Sequence, residues 1–433
     1  DVHSFSLPQW LDHIQRQHWR TIDLKLDRIA SVWHRLGAWR PSLAITVAGT
    51  NGKGSSVAML ESALRHAGLR TGAYTSPHLV HYNERVRIDG KCASDEALTS
   101  AFVQIEIARE DIPLTYFEYG TLCAMLAFQS RKVDVAVLET GMGGRLDAVN
   151  IVENDLALIT SVGLDHQQWL GSDREQIGAE KAGVIKTNAL VVSTDPSPAS
   201  AIERVAAERG ALLLQAGRDY QVAAEAALGS CTWHSGHPAI ADNWRNLSDL
   251  PQPLPGWWQT QNLGGVVAAL ALVSDRAAMT PDHLKSGLAD TRLPGRCQVI
   301  PGDPITIIDV AHNADSAAGL AEFLDQNAVS GDTHAVFGLL RDKALETVIN
   351  DIRAKVNTWH LATLSGERGQ DAVELDQRLR ADDPALETRT YPDPAAAFVG
   401  ARSEAVAGDR IIVFGSFFVV GDILGLLENG GPA

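Results

Sequence analysis

Cysteine is scarce. The chain has four in 433 residues, Cys92, Cys123, Cys231 and Cys297, scattered and without a C-x-x-C pair. That spacing offers neither a disulfide framework nor a zinc ribbon, and reduced thiols in a cytosolic setting are expected. Positive charge is short as well: 37 Lys and Arg stand against 53 Asp and Glu, a net charge of −16. A general nucleic-acid or anionic-membrane binder carries the opposite balance, so neither partner is expected. Any anion held by this chain must be held by a local device. No apolar run approaches the roughly 18 residues of a membrane span. The opening segment, DVHSFSLPQW, lacks the basic and apolar regions of a signal peptide, and without an initiator Met some trimming is expected. Low-complexity tracts are missing too. What remains is a globular composition, 45% hydrophobic and 21% charged, with a cytoplasmic location expected. At this length two domains are the expectation and three the alternative.

What is present begins with VAGTNGKGSS, Val47 to Ser56. It resembles a phosphate loop with altered spacing. The common pattern is G-x-x-x-x-G-K-[ST]. Here Gly52 and Lys53 stand in place, but Val47 occupies the first glycine position and Gly54 precedes Ser55. The apolar run LAITVA, 43–48, leads in, and SSVAMLESALRHAG leads out with Val57, Leu60 and Leu64 on one helical face. A strand-to-helix junction is the context an anion site needs, because helix N-terminal N–H groups then face the charge. Gly49, Gly52 and Gly54 would let the backbone curl close to a phosphate, Lys53 would meet its oxygens, and Ser55 or Ser56 would face a metal. The bland alternative is a glycine-rich turn with a solvated lysine.

Apolar runs of strand length recur at 71–76, 133–139, 156–161 and 189–194, with helical stretches between some of them. Strands alternating with helices predict a mostly parallel sheet covered on both faces. Residues 215–260 break the rhythm with Gly, Pro, Trp and His and read as short strands and loops before a helix starting near Asn262. A second alternation starts near residue 304 with PITIIDV, HAVFGLL, TWHLATL and RIIVFGS, and LETVINDIRAKV reads as a helix between them. The expected fold is α/β: an N-terminal P-loop-type domain with a mostly parallel sheet, 1–291, and a smaller Rossmann-like α/β domain, 299–433. A hinge at 292–298 (RLPGRCQ) joins them, with a cleft between the two.

Ligands of such sheets bind at the carboxyl ends of the strands. Those ends carry Ser76 and His78 in TSPH, Glu139 in ETGMGGRLDAVN, and Asp165 and His166 in SVGLDHQ. A hydroxyl, a carboxylate and an imidazole converging near a phosphate loop would suit Mg²⁺, which takes few protein ligands and keeps waters and substrate phosphates. Singly each has a plainer role: Ser76 as a turn former, Glu139 as a helix cap, His166 as a satisfied loop histidine. Their shared sheet edge favours the metal.

GTNGKGS, TSPHL with ERVRI, TYFEYGT, E-x-G-x-GGRLDA-x-N, LDH, EKAGVIK, LPGR and D-x-AHN follow one another between Gly49 and Asn313, within a likeness that spans residues 21 to about 420. In that order the set resembles folylpolyglutamate synthases and bacterial dihydrofolate synthases, within the wider Mur-ligase family that shares the loop. The resemblance implies an ATP-dependent amide ligase. In that chemistry ATP phosphorylates a carboxylate of the pterin substrate, and the amine of L-glutamate attacks the acyl phosphate, releasing ADP and phosphate. A carboxylate is a poor electrophile at neutral pH, so the phosphate supplies a leaving group, with Lys53 and Mg²⁺ as the expected charge stabilisers.

The resemblance assigns Thr50, Asn51, Gly52, Lys53, Gly54 and Ser55 to the triphosphate, with Asn262, Arg296 and Asp309 as further ATP contacts. Ser76, Glu139 and His166 resemble the Mg²⁺ ligands. Lys181 matches a lysine carbamylated in the family, where the added carboxylate helps place a second metal. An unmodified lysine beside two cations would be repelled. Lys53, Lys181 and His312 are the expected catalytic residues, and Arg85, His312 and Ser416 the glutamate-side residues. A dihydropteroate pocket is implied at Thr21, Ile22, Asp23 and Leu24, at Thr115, Tyr116, Phe117 and Glu118, and at Leu146, Asp147 and Ala148. Val149 stands where the family commonly has Thr, and Ala314 where it has Pro, the second loosening the turn after His312. The expected partners are dihydropteroate, reduced folate and L-glutamate, acting on a monomer.

Four other readings compete. A monofunctional folylpolyglutamate synthase would lack the dihydropteroate activity. A Mur-type ligase acting on a cell-wall nucleotide precursor shares the chemistry but gives TYFEYGT no role. An ATP-regulated binding protein would need the loop and Glu139 but no glutamate site. A dehydrogenase would need G-x-G-x-x-G after its first strand, and none is there.

Overall fold

In a computed structural model of the chain, residues 4–18, 22–225 and 229–430 are described. They form two compact units. The first comprises residues 1–77, 83–253 and 258–292, and the second residues 78–82, 254–257 and 293–433. Two short segments that precede the expected hinge therefore group with the second unit.

The first unit is built on an eight-stranded sheet: β1 (Leu43–Ala48), β2 (Thr71–Tyr74), β3 (Val86–Ile88), β4 (Lys91–Cys92), β5 (Val135–Glu139), β6 (Leu156–Ile159), β7 (Leu190–Ser193) and β8 (Leu212–Gln215). The strand order is β4-β3-β2-β5-β1-β6-β7-β8. All pairs from β2 to β8 are parallel, and only the β2–β3–β4 edge is antiparallel. β1, β5 and β6 are buried along their whole length, which is why they read as continuous apolar runs rather than alternating ones.

The irregular stretch around residues 215–260 folds into a three-stranded antiparallel sheet, β9 (Gln221–Ala224), β10 (Ser230–His234) and β11 (Asn246–Pro251). Its tryptophans explain themselves. Trp233 stacks on Tyr220 with ring centroids 5.8 Å apart and donates its indole N–H to the Gly264 carbonyl at 3.0 Å. The little sheet is thus clamped to the helix Trp257–Val273, which begins five residues before Asn262 rather than near it. That helix is buried nearly throughout, so Asn262 lies inside it with its side chain free to reach a neighbour.

The second unit holds β12 (Gln298–Ile300), β13 (Ile305–Ile308), β14 (Thr333–Phe337), β15 (Thr358–Ala362), β16 (Glu387–Tyr391) and β17 (Arg410–Phe414), ordered β12-β13-β17-β14-β15-β16. Only β12 runs antiparallel. One helix differs from expectation. LETVINDIRAKV gives a short helix, Leu345–Ile349, then a turn and a 3₁₀ segment, Arg353–Lys355. After Ile349 the backbone bonds tighten to three-residue turns, Ile352 N–H to the Ile349 carbonyl at 3.1 Å and Lys355 N–H to the Ile352 carbonyl at 2.8 Å, so the α-helix does not continue.

Candidate active site

The loop after β1 takes its shape from two glycines. Gly52 has φ +88°, and a Cβ there would lie 2.3 Å from Asn262 Oδ1. Gly49, at φ +151°, would place a Cβ 1.6 Å from Thr160 Oγ1. Nothing larger than hydrogen fits either place. The segment after β6 grips the loop from one side: Thr50 N–H donates to the Ser161 carbonyl (2.7 Å), Thr160 Oγ1 to the Asn51 carbonyl (2.6 Å), and Gly163 N–H to Thr50 Oγ1 (2.9 Å). From the other side Asn262 donates to Gln259, which donates to Ser55 Oγ, each at 3.0 Å. Lys53 Nζ donates to the carbonyls of Gly49 (3.0 Å) and Thr50 (3.3 Å), at the start of the helix Lys53–His66. Ser56 Oγ is buried without a hydrogen-bond partner. A backbone cradle, a lysine and an unsatisfied hydroxyl at a helix N-terminus fit a polyphosphate and its cation.

Sheet order decides which strand ends meet here. β2, β5, β1 and β6 are consecutive, so Ser76, Glu139, the loop and the Thr160–His166 segment share one carboxyl edge. Ser76 N–H donates to Glu139 Oε2 at 3.2 Å, and Glu139 is only 5% exposed. His166 lies at φ +51° with its N–H on Asp165 Oδ1 (2.8 Å). A hydroxyl, a carboxylate and an imidazole at one edge can hold a hard divalent cation alongside phosphate oxygens.

Two charged groups lie deep beside them. The turn Gly141–Gly144 presses on the helix Arg174–Ala182: a Cβ on Gly144 would lie 2.9 Å from the Lys181 carbonyl. Lys181 is 3% exposed, and burial pulls its amine down to about 7. Lys53 pushes the same way, while Asp165 and Asp147 oppose it. The same dry surroundings push Asp147 up to about 6, against N–H bonds from Met142 (2.8 Å) and Val149 (3.0 Å). Both groups therefore change charge near neutrality.

A second cluster gathers the expected acceptor residues. Glu118 closes the start of the helix Tyr116–Ser130, taking the Thr115 N–H at 2.8 Å while Thr115 Oγ1 takes the Glu118 N–H at 3.2 Å. Arg28 bridges Glu118 Oε1 and Asp23 Oδ2, both at 3.0 Å, and His18 Nε2 lies 3.5 Å from the same Asp23 oxygen. Burial raises the Glu118 carboxyl despite the Thr115 N–H and Arg28. Phe117 meets Tyr74 edge-on at 5.8 Å, and a Cβ on Gly141 would lie 2.7 Å from its ring. Arg85 stands over the Tyr116 ring at 5.5 Å, so this expected glutamate-side residue lies against an expected pterin residue. Ile22, Leu24 and Leu146 are half-buried and Ala148 is buried; Thr21 lies outside the described residues. Arg28 was not singled out from the sequence. Its signal was a charged residue in TIDLKLDRI beside Ile29, on a helix whose neighbours turn inward.

In the second unit Asp309 accepts the N–H groups of Cys297 and Ala311, each at 2.7 Å, and burial raises its carboxyl against the pull of Arg296. Arg296 lies over Phe417 at 5.4 Å, and His312 packs on the same ring at 5.8 Å. His312 Nδ1 bonds the Val310 carbonyl at 2.8 Å. A carbonyl only accepts, so Nδ1 carries the proton and Nε2 is the basic nitrogen of the neutral ring. Ser416 caps the helix Phe417–Glu428 through the Phe418 N–H at 3.1 Å. Ala314 in place of Pro leaves the turn after His312 well held, because Asn313 and Ser316 form a reciprocal cap.

Two family descriptions match the chain: "Mur ligase middle domain" over residues 47–270 and "Mur ligase, glutamate ligase domain" over residues 295–417. Fold and site together define a Mur-type ligase. A relative from Escherichia coli (strain K12), "Dihydrofolate synthase/folylpolyglutamate synthase", is 39% identical over 423 residues, spanning 98% of this chain and 96% of its own. The solved structure "E.coli FolC in complex with DHPP and ADP" superposes with a TM-score of 0.90 at 37% identity, covering 99% of each chain. Another, a "bifunctional folylpolyglutamate synthase/dihydrofolate synthase with Mn, AMPPNP and L-Glutamate bound", has a TM-score of 0.88 at 37% identity, covering 98% of this chain and 99% of that one. The chain belongs to the dihydrofolate synthase/folylpolyglutamate synthase family of Mur ligases, and it is an ATP-dependent acid–amino-acid ligase. No helix among the described residues is long and apolar enough to cross a membrane.

Proposed function

We propose that this ligase joins L-glutamate both to dihydropteroate, giving dihydrofolate, and to reduced folates, lengthening their glutamate chains. The observation that carries the reading is the glycine cradle: Gly52 pinned against Asn262, with Lys53 tethered just behind it. The relatives bring nucleotide, metal and glutamate to the same fold.

The carboxylate of the acceptor attacks the γ-phosphorus of ATP, forming a C–O–P bond as the bond to the ADP oxygen breaks. The glutamate amine then attacks the acyl carbon, phosphate leaves, and the amine gives up a proton. Negative charge spreads over the transferred phosphoryl group, and Lys53 meets it from the loop. Mg²⁺ held at Ser76, Glu139 and His166 would neutralise charge on the phosphate oxygens. Arg296, Asp309 and Asn262 are assigned to the nucleotide, and Arg85, Ser416 and His312 to glutamate, with His312 Nε2 as the proton acceptor. Asp23, Glu118, Phe117 and Leu146 are assigned to the pterin end.

Lys181 fits a second role. An amine pulled to about 7 is substantially unprotonated at neutral pH. Its nitrogen can add to CO₂, forming an N–C bond and losing a proton, and the carbamate would supply a carboxylate to a second Mg²⁺. That exchange turns a cation beside Lys53 into an anion, which the Lys53 charge favours.

A phosphate-release assay with ATP and L-glutamate, run with dihydropteroate and with tetrahydrofolate in turn, tests the function. Release that needs both glutamate and an acceptor, and that proceeds with either acceptor, is expected. Release indifferent to glutamate would remove the ligase reading for these substrates.

A further inference from the structure

A group of side chains in the second unit takes no part in this chemistry. β14 and β15 run parallel with Val336 opposite His360 and His334 opposite Thr358. The two histidines are thus two residues out of register and share one face of the sheet. The helix Pro394–Glu404 covers that face through Phe398 and Ala401, and its last residue brings a carboxylate to the pair. We infer that His334 Nδ1, His360 Nε2 and a carboxylate oxygen of Glu404 form a binding site for a zinc-like transition-metal ion.

One ligand atom from each residue lies within 4.8 Å of the others, the only such His/Cys/Asp/Glu group among the described residues. His334 Nδ1 and His360 Nε2 stand 3.3 Å apart, sharing a hydrogen bond that an ion between them would replace. Two imidazole nitrogens each about 2.0–2.1 Å from one tetrahedral ion would be separated by roughly 3.3–3.4 Å. The far nitrogens are spoken for. His334 Nε2 faces Asp409 Oδ2 at 3.4 Å, and His360 Nδ1 meets the Tyr391 hydroxyl at 3.1 Å. Asp409 is itself fixed by the N–H groups of Val406 and Asp332, each at 2.8 Å. This is how metal-binding imidazoles are oriented: a carboxylate or hydroxyl on one nitrogen turns the other toward the ion. Arg389 holds Glu404 Oε1 at 3.2 Å, steadying the carboxylate. Two imidazoles and one carboxylate are a borderline set, suited to zinc and its neighbours and ill suited to magnesium. Both histidines are buried, so an ion here would fasten β14 and β15 to the covering helix.

The test uses the full chain with Mg²⁺ in large excess, so that oxygen-rich sites are filled. Zn²⁺ binding is followed by calorimetry and melting temperature, and Co²⁺ by its visible absorption. One equivalent of Zn²⁺ that excess Mg²⁺ does not displace, a raised melting temperature, and a four-coordinate Co²⁺ spectrum are expected. Glu404→Gln, at an exposed helix end, should fold and melt like wild type without metal yet bind Zn²⁺ at least about tenfold more weakly. His360→Asn should lose the Co²⁺ spectrum, while Glu139→Gln should keep it. No Zn²⁺ binding in excess Mg²⁺ would overturn the site. So would binding unchanged in Glu404→Gln, or binding abolished by Glu139→Gln, which would place the ion at the phosphate edge instead.

Discussion

Replacing Arg28 by Met removes the bridge between Glu118 and Asp23 while keeping most of the side chain's apolar stem. Glu118 is only 3% exposed and Arg28 16%, so the pair is largely dry. Breaking a buried pair on one side costs about 3–5 kcal/mol, mainly because the remaining charge has no partner. The partial exposure of Arg28 and the Thr115 N–H on Glu118 reduce that to roughly 2–4 kcal/mol. In a unit of this size each kcal/mol moves the melting temperature by about 2 °C, so a loss of roughly 4–8 °C is expected near pH 8. The loss should depend on pH. The folded Glu118 carboxyl already titrates above its ordinary value because of burial, and Arg28 works against that rise. Without Arg28 it rises further. A raised acid contributes stability in its protonated form, fully below the unfolded pKa and lost as pH climbs through the folded one. The gap between wild type and R28M should therefore be smaller at pH 5 than at pH 8. Adding Glu118→Gln removes the stranded charge and keeps an oxygen for the Thr115 N–H, so the double variant should recover most of the loss. Melting curves of the four proteins at both pH values decide it. An R28M protein that melts within about a degree of wild type at pH 8, or a double variant no better than R28M, would refute the buried-pair reasoning.

Lys53→Ala should abolish ligation while leaving the fold intact, since its hydrogen bonds go to loop carbonyls and not to the core; a folded variant with near-normal phosphate release would make the loop merely structural. Glu139→Gln and His166→Ala should each raise the Mg²⁺ requirement or end turnover, and the double variant should lose little beyond either one; mild, additive losses would put them in separate places. Phe117→Ala should cut kcat/KM for dihydropteroate by one to two decades, from about 1–3 kcal/mol of lost ring contact, with a smaller effect on tetrahydrofolate. Equal loss with both acceptors at unchanged melting temperature would leave Phe117 no role in acceptor choice.

Strand positions were legible because the parallel strands are buried on both faces and leave unbroken apolar runs, as in 43–48 and 410–414. The Lys53–His66 helix was legible from its own periodicity and the glycines around it. The helix over 345–356 is shorter than its spacing suggests because apolar periodicity does not distinguish a continuous helix from the tighter turns that follow Ile349. The grouping of 78–82 and 254–257 with the second unit was invisible for a similar reason: neither segment is marked by composition, only by what it touches. Motif spelling found Thr115 and Glu118, yet it passed over Arg28, whose importance lies in bridging residues 5 and 90 positions away. The same holds for Thr160, Ser161 and Gln259, which shape the phosphate loop without belonging to it.

That loop also answers how so acidic a chain can attract a polyanion. Net charge of −16 works against the ligand at long range, but the Debye length confines that field to about 8 Å at physiological salt. Inside that distance the local arrangement governs. The Lys53 ammonium is half-buried and held by two neutral carbonyls, so much of its desolvation has occurred before any ligand arrives. Exchanging those bonds for phosphate oxygens replaces neutral acceptors with charged ones and adds an ion-pair attraction to each bond. The backbone needs no rearrangement either, because Asn262 and Thr160 already hold Gly52 and Gly49 in shapes other residues cannot adopt. Binding then draws on a prepaid geometry, and the acidic surface costs little at the one place where the anion sits.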